Sequence, residues 1–138
     1  MSRSNYSHEW TNEMNLYRAT VDRSINGKRG QAFLKRLIKA LEAMPTKELH
    51  ADIFAKPDGA CCAMGAVALY EGHDIEKDYD PNVQDDSNYA YEKLNISQSM
   101  AAEIAFVNDY EGYFKENERP AIKWKRMYAW AKDRLKDE

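Results

Sequence analysis

Eleven consecutive residues, Ala60 to Tyr70 (ACCAMGAVALY), carry no charge and are apolar on every helical face. No other feature of the chain constrains its fold as much. The run is too short to cross a bilayer, which takes about 18 apolar residues or more, so it has to be covered by protein. The pattern predicts a central buried helix whose Ala, Cys and Gly residues let neighbouring helices approach closely, with a buried strand as the alternative. Gly72 is placed to end the element in either case. The only cysteines, Cys61 and Cys62, are adjacent within this run. They offer neither an ordinary disulfide staple nor metal-ligand spacing, and buried, reduced thiols are expected.

Amphipathic helices on both sides can supply the cover. In a first helix, about Glu9 to Ser24, Trp10, Met14, Tyr17 and Val21 recur on one face, and Asn26-Gly27 suits a left-handed stop. A second, about Gln31 to Ala43, sets Phe33, Leu34, Leu37, Ile38 and Leu41 on one arc and Lys35, Arg36, Lys39 and Glu42 on the other, and Pro45 ends it. Leu49, Ala51 and Ile53 alternate as in a short strand or extended arm before the Pro57-Asp58-Gly59 turn. Ser97 can cap a helix running to about Tyr110, with Met100, Ile104 and Val107 on one side and Phe106 and Tyr110 on the other, as in a sandwiched element. The last helix, about Pro120 to Lys136, opens on a proline and turns Trp124, Met127, Tyr128, Ala131 and Leu135 inward.

These segments predict one all-α domain over residues 1–138, of about five helices around a central apolar helix at 60–71, with a short strand or extended arm near 49–55. Residues 1–8 are expected to be mobile and 72–91 to form a long acidic loop. A chain of 138 residues can bury roughly two-thirds of its unfolded surface, enough for a core without disulfides or metals. The N-terminus lacks the apolar run of a secretory signal and no segment is long enough to span a membrane, so a cytosolic protein is expected.

Charge is segregated along the chain. Residues 1–45 carry eight Lys/Arg and four Asp/Glu, residues 46–118 five and sixteen, and residues 119–138 seven and three. Docking of basic terminal helices beside an acidic middle accounts for this; the alternative is that separate surfaces meet differently charged partners. Two basic features could hold phosphates. The first is the corner Gly27-Lys28-Arg29-Gly30 ahead of the second helix, continued by Lys35, Arg36 and Lys39. It lacks P-loop spacing, and two glycines at a helix-helix corner follow from backbone geometry alone, but cations at a helix N-terminus are otherwise unfavourable and keep an anion site open. The second is the arc Lys123, Arg126, Trp130 and Arg134 on the last helix, which could bind phosphates and stack on bases, or could pack against a neighbouring helix.

The stretch from Gly72 to Tyr91 carries Asp74, Glu76, Asp78, Asp80, Asp85 and Asp86 against the sole Lys77, together with three tyrosines. A calcium loop starting at Asp78 fails, because Val83 stands where glycine is needed and Tyr89 where the bidentate glutamate belongs. The functional reading is a contact surface for a basic partner made by Asp78, Tyr79, Asp80, Asp85, Asp86, Tyr89 and Tyr91, tyrosine giving area at low entropic cost. A solvated loop is the plain one. His8, His50 and His73 form no recognisable catalytic arrangement, and Cys61 and Cys62 sit where burial disfavours a thiolate. No catalytic residue, cofactor or metal is expected.

The succession DRSINGKRGQAFLKRLIKALEAMP, CCAMGAVAL, FVNDYEG and WKRMYAW, from about Leu16 to Trp130, resembles a group of small uncharacterised proteins encoded by bacteriophages and prophages. The resemblance implies a genomic setting and no activity. Small phage proteins often inhibit or redirect host machinery, anti-CRISPR proteins being one example. The expectation is therefore a non-enzymatic phage accessory protein in the cytoplasm of a bacterial host, modulating a host protein such as a nucleic-acid-handling defence complex. A direct DNA- or RNA-binding protein is the alternative.

Overall fold

The computed structural model describes residues 12–50, 54–56, 58–79, 86–109 and 119–136. Among them the chain is all-α. Six helices of eight residues or more and one single-turn helix run in the order α1 (Asn12–Asn26), α2 (Lys28–Ala43), α3 (Ala63–Tyr70), α4 (Ile75–Asp78), α5 (Asp86–Lys93), α6 (Gln98–Asp109) and α7 (Pro120–Arg134). Two more helices appear than the sequence predicts because α4 and α5 lie in the stretch expected to be loop. Residues 1–8 lie outside the described residues, as do Trp10 and the side chain of Met14.

The strongest amphipathic pattern makes one of the two hubs. Phe33, Leu34, Leu37 and Leu41 of α2 are fully buried, each contributing about 1.5–3 kcal/mol over exposure, and Ile38 joins them. α6 is the other hub. α1, α3 and α7 each pack against both α2 and α6, and α5 packs on α6. Ser97 Oγ accepts the Met100 N–H at 3.1 Å, capping α6 as its sequence predicts. Met100, Ile104 and Val107 are buried, and the half-buried Phe106 also packs on the core. Tyr110 lies outside the described residues. Glu103 of α6 is buried as well, and Arg18 of α1 reaches its carboxylate at 3.5 Å.

Between α1 and α2 stands the single residue Gly27, in extended conformation (φ −76°, ψ 173°), so the stop is not left-handed. α1 buries Val21 and Ile25, whereas Tyr17, expected on the same face, is 45 % exposed. The corner is tight. A Cβ added at Gly30 would stand 2.0 Å from the Ser24 carbonyl oxygen, so glycine is what lets α2 cross the end of α1.

The apolar run is buried from Cys61 to Ala68. It is helical only from Ala63, because Cys61 belongs to a hairpin: an isolated antiparallel bridge joins Ala55 to Cys61, and Cys62 N–H donates to the Phe54 carbonyl at 3.2 Å. The arm near 49–55 is thus extended without forming a sheet among the described residues; residues 51–53 lie outside them. The Phe54 backbone lies directly on α3, where a Cβ at Gly65 would meet the Phe54 oxygen at 1.7 Å. Asn108 fastens these parts together. Its side chain is buried, its Oδ1 accepts the Ala63 N–H at 3.0 Å and its Nδ2 donates to the His50 carbonyl at 3.2 Å. α3 stops at Gly72 (φ +87°), as expected, leaving Leu69 and Tyr70 exposed. α7 buries Met127 and Ala131, and Trp124 stacks on Tyr128 at 4.9 Å while its indole N–H donates to the Leu41 carbonyl of α2. No helix among the described residues is long and apolar enough to cross a membrane.

Candidate functional site: an acidic surface and a neighbouring groove

The acidic stretch is not a plain loop. Its aromatic residues tie it to the hairpin: Tyr79 stacks on Phe54 with ring centroids 4.7 Å apart, and Tyr89 meets Phe54 edge-on at 4.9 Å and Tyr79 at 5.6 Å. The Tyr89 hydroxyl lies 3.4 Å from His73 Nδ1. Tyr89 is completely buried and Tyr79 half-buried, so neither offers a partner the face the sequence predicts. The correction has a physical reason: rings beside carboxylates in sequence supply the apolar mass that holds an otherwise self-repelling segment on the core. Tyr91 does point outward, 49 % exposed, with Glu92 beside it. The Asp74 carboxylate accepts the Lys77 N–H and caps α4. Asp78 and Asp86 fall in α4 and α5. Asp80 and Asp85 lie outside the described residues.

Arg36, expected on a phosphate-binding arc, is occupied. Its Nε and Nη2 grip the Glu71 carboxylate at 2.6 and 2.5 Å, and its Nη1 donates to the Leu94 carbonyl at 2.8 Å. This ties α2 to the start of the acidic surface. The hydrogen bonds from Arg36 hold the Glu71 carboxyl below its ordinary value of 4.5, against an opposing effect of partial burial. The folded group ionises at lower pH than the unfolded one. The pair's contribution is therefore fully present above about pH 4.5 and is lost as pH falls through the lower folded value. Exposure to solvent keeps it below about 1 kcal/mol. Glu71→Gln is expected to lose that small contribution at neutral pH and to converge with the parent on the acid side of the melting-temperature profile; equal melting temperatures at neutral pH would mean that the pair contributes nothing.

The arc on α7 faces the protein. Lys123 is buried, and Arg126 donates to the Val107 carbonyl at 3.2 Å and the Asn108 carbonyl at 3.4 Å, closing the C-terminal end of α6. Trp130 is half-buried under Arg134, whose guanidinium lies 5.6 Å from the ring centre and 3.9 Å from Asp22. These four residues pack α7 against α6 and α1 and do not form an open face for bases. Lys28, Arg29, Lys35 and Lys39 stay exposed on α2.

Between the end of α2, the hairpin and the last turn of α3 lies a groove of about 510 Å³. Ala40, Cys61 and Ala66 make its floor. Glu48 and Asp58 are the charged residues among its described lining. Burial pushes the Cys61 thiol up to about 11, so at neutral pH it is protonated and no nucleophile despite His50 nearby in the lining. Sequence reasoning missed this groove, because small residues that leave space carry no pattern. Among the described residues no group of three or more His, Cys, Asp and Glu is placed to hold a metal. Comparison with protein-family models, with curated proteins and with solved structures gives no match for the chain.

Proposed function

We propose that the chain is a non-enzymatic phage accessory protein that binds and modulates a host protein through its acidic surface. The partner is a basic component of a nucleic-acid-handling defence complex, in the manner of an anti-CRISPR protein. The observation that carries this reading is the division of labour among the tyrosines: Tyr79 and Tyr89 anchor the segment while Tyr91, with Glu92 beside it, faces out. A segment whose sequence is rich in carboxylates and whose rings are anchored on the core suits the positively charged channels with which such complexes hold nucleic acid, and electrostatic attraction speeds encounter. The phage setting rests on the sequence resemblance. Direct nucleic-acid binding is less well supported, since Arg36, Arg126 and Lys123 are taken up within the fold.

The test is capture of the partner from bacterial host extract, identification by mass spectrometry, and kinetics with purified components. The combined change Asp78→Asn, Asp80→Asn, Asp85→Asn and Asp86→Asn is expected to slow association about tenfold or more at low salt, with an unchanged melting temperature. Tyr91→Ala should speed dissociation. A normally folded quadruple variant that associates as fast as the parent would place the interaction elsewhere.

A further inference from the structure

The groove joins two properties that together describe an occupant. It is apolar and roomy, because Ala40, Ala43, Ala60 and Ala66 line it where larger side chains would fill it, and the exposed Leu69 and Tyr70 extend its apolar wall outward. It is also one-sided in charge. Glu48 and Asp58 are lining residues, and no Lys or Arg stands among the described ones. Asp58 Oδ1 accepts the Ala60 N–H at 2.9 Å, which fixes that carboxylate at the rim. The nearby Lys47 is held by the Glu42 and Met44 carbonyls, to which it donates, and lies 5.7 Å from the centre of the Trp124 ring.

We infer that this groove seats a bulky apolar side chain of a protein partner, flanked in that partner by Lys or Arg. An apolar anchor gains by leaving water in a preformed depression, while a cation beside it gains from Glu48 and Asp58, the charged residues among the described lining. A phosphate or an acidic peptide would be repelled by the same two carboxylates. The assignment rests on the reading of the chain as a protein-binding molecule and adds a second contact, with a lining that includes none of the acidic-surface residues named above.

A yeast-displayed library of random linear peptides, sorted on the purified full chain, tests this without the natural partner. The enriched peptides are expected to carry Leu, Met, Phe or Trp next to Lys or Arg. Ala43→Trp, at an exposed position on the rim, should weaken their binding about tenfold or more by filling the groove. Glu48→Gln with Asp58→Asn should weaken it less and flatten its salt dependence. Should Ala43→Trp not fold, the surface pair Leu69→Gln and Tyr70→Ser must show the same loss. Peptides without a basic residue, no enriched sequence, or binding unaffected by these variants would overturn the assignment. So would a dimer of the parent chain, seen by sedimentation, that Ala43→Trp breaks apart, since a second copy would then be the occupant. The quadruple Asn variant should bind the peptides normally, so loss of the acidic-surface reading and loss of the groove are told apart.

Discussion

Replacing Gly65 by valine is expected to leave no folded protein. A Cβ at this position would stand 1.7 Å from the Phe54 carbonyl oxygen and 2.8 Å from the Phe54 carbonyl carbon. Both are backbone atoms, so no rotamer change relieves the clash. The hairpin would have to lift off α3, breaking the bond from Cys62 N–H to the same carbonyl and exposing Phe54. Alanine already supplies the offending atom and should cost about 3 kcal/mol or more, and valine adds two methyl groups. Against a total stability of about 5–15 kcal/mol, the larger change leaves little or nothing. Gly59→Ala is the control. Gly59 has φ +97° with open space around it, so alanine there meets only backbone strain, about 1–2 kcal/mol. Urea denaturation monitored by circular dichroism reads all three variants, and a Gly65→Ala protein no less stable than Gly59→Ala would mean that the hairpin does not rest on α3.

The second large effect separates two residues that the sequence treats alike. Met64 and Leu69 both belong to the uncharged run, but Met64 is 1 % exposed and Leu69 40 %. Met64→Asp removes a buried apolar side chain and puts a carboxylate where nothing solvates it, at a cost of about 4 kcal/mol or more. Leu69→Asp should stay within about 1 kcal/mol of the parent. Melting temperatures of the two variants decide the matter. Equal losses would show that the last turn of α3 is packed in solution.

Much of the fold was legible from residue spacing alone. The α2 face, the Ser97 cap, the proline at the start of α7 and the burial of Cys61 to Ala68 all come from local pattern, and each is where the pattern places it. The acidic stretch reads as loop in the sequence because its carboxylates hide helical periodicity, and because the ring that anchors Tyr79 and Tyr89 comes from Phe54, far upstream. The α7 arc was open to two readings for a related reason. A sequence shows that Lys123 and Arg126 are charged, but not that α6 lies alongside with carbonyls to receive Arg126. Burial of Glu103 is equally silent in the sequence, since it depends on Arg18 arriving from the first helix. The groove left no signal because empty space has no residue type.

Phe54 serves two sides at once, its carbonyl pressed on Gly65 and its ring in contact with both Tyr79 and Tyr89. Energies assigned to those three positions are therefore not separable. Once a change on the α3 side has displaced Phe54, the rings on the other side have already lost their partner, and removing one of them takes away less than it would alone. Double substitutions spanning this residue should fall short of the sum of the singles, and the shortfall measures how much of the molecule's cohesion passes through one residue.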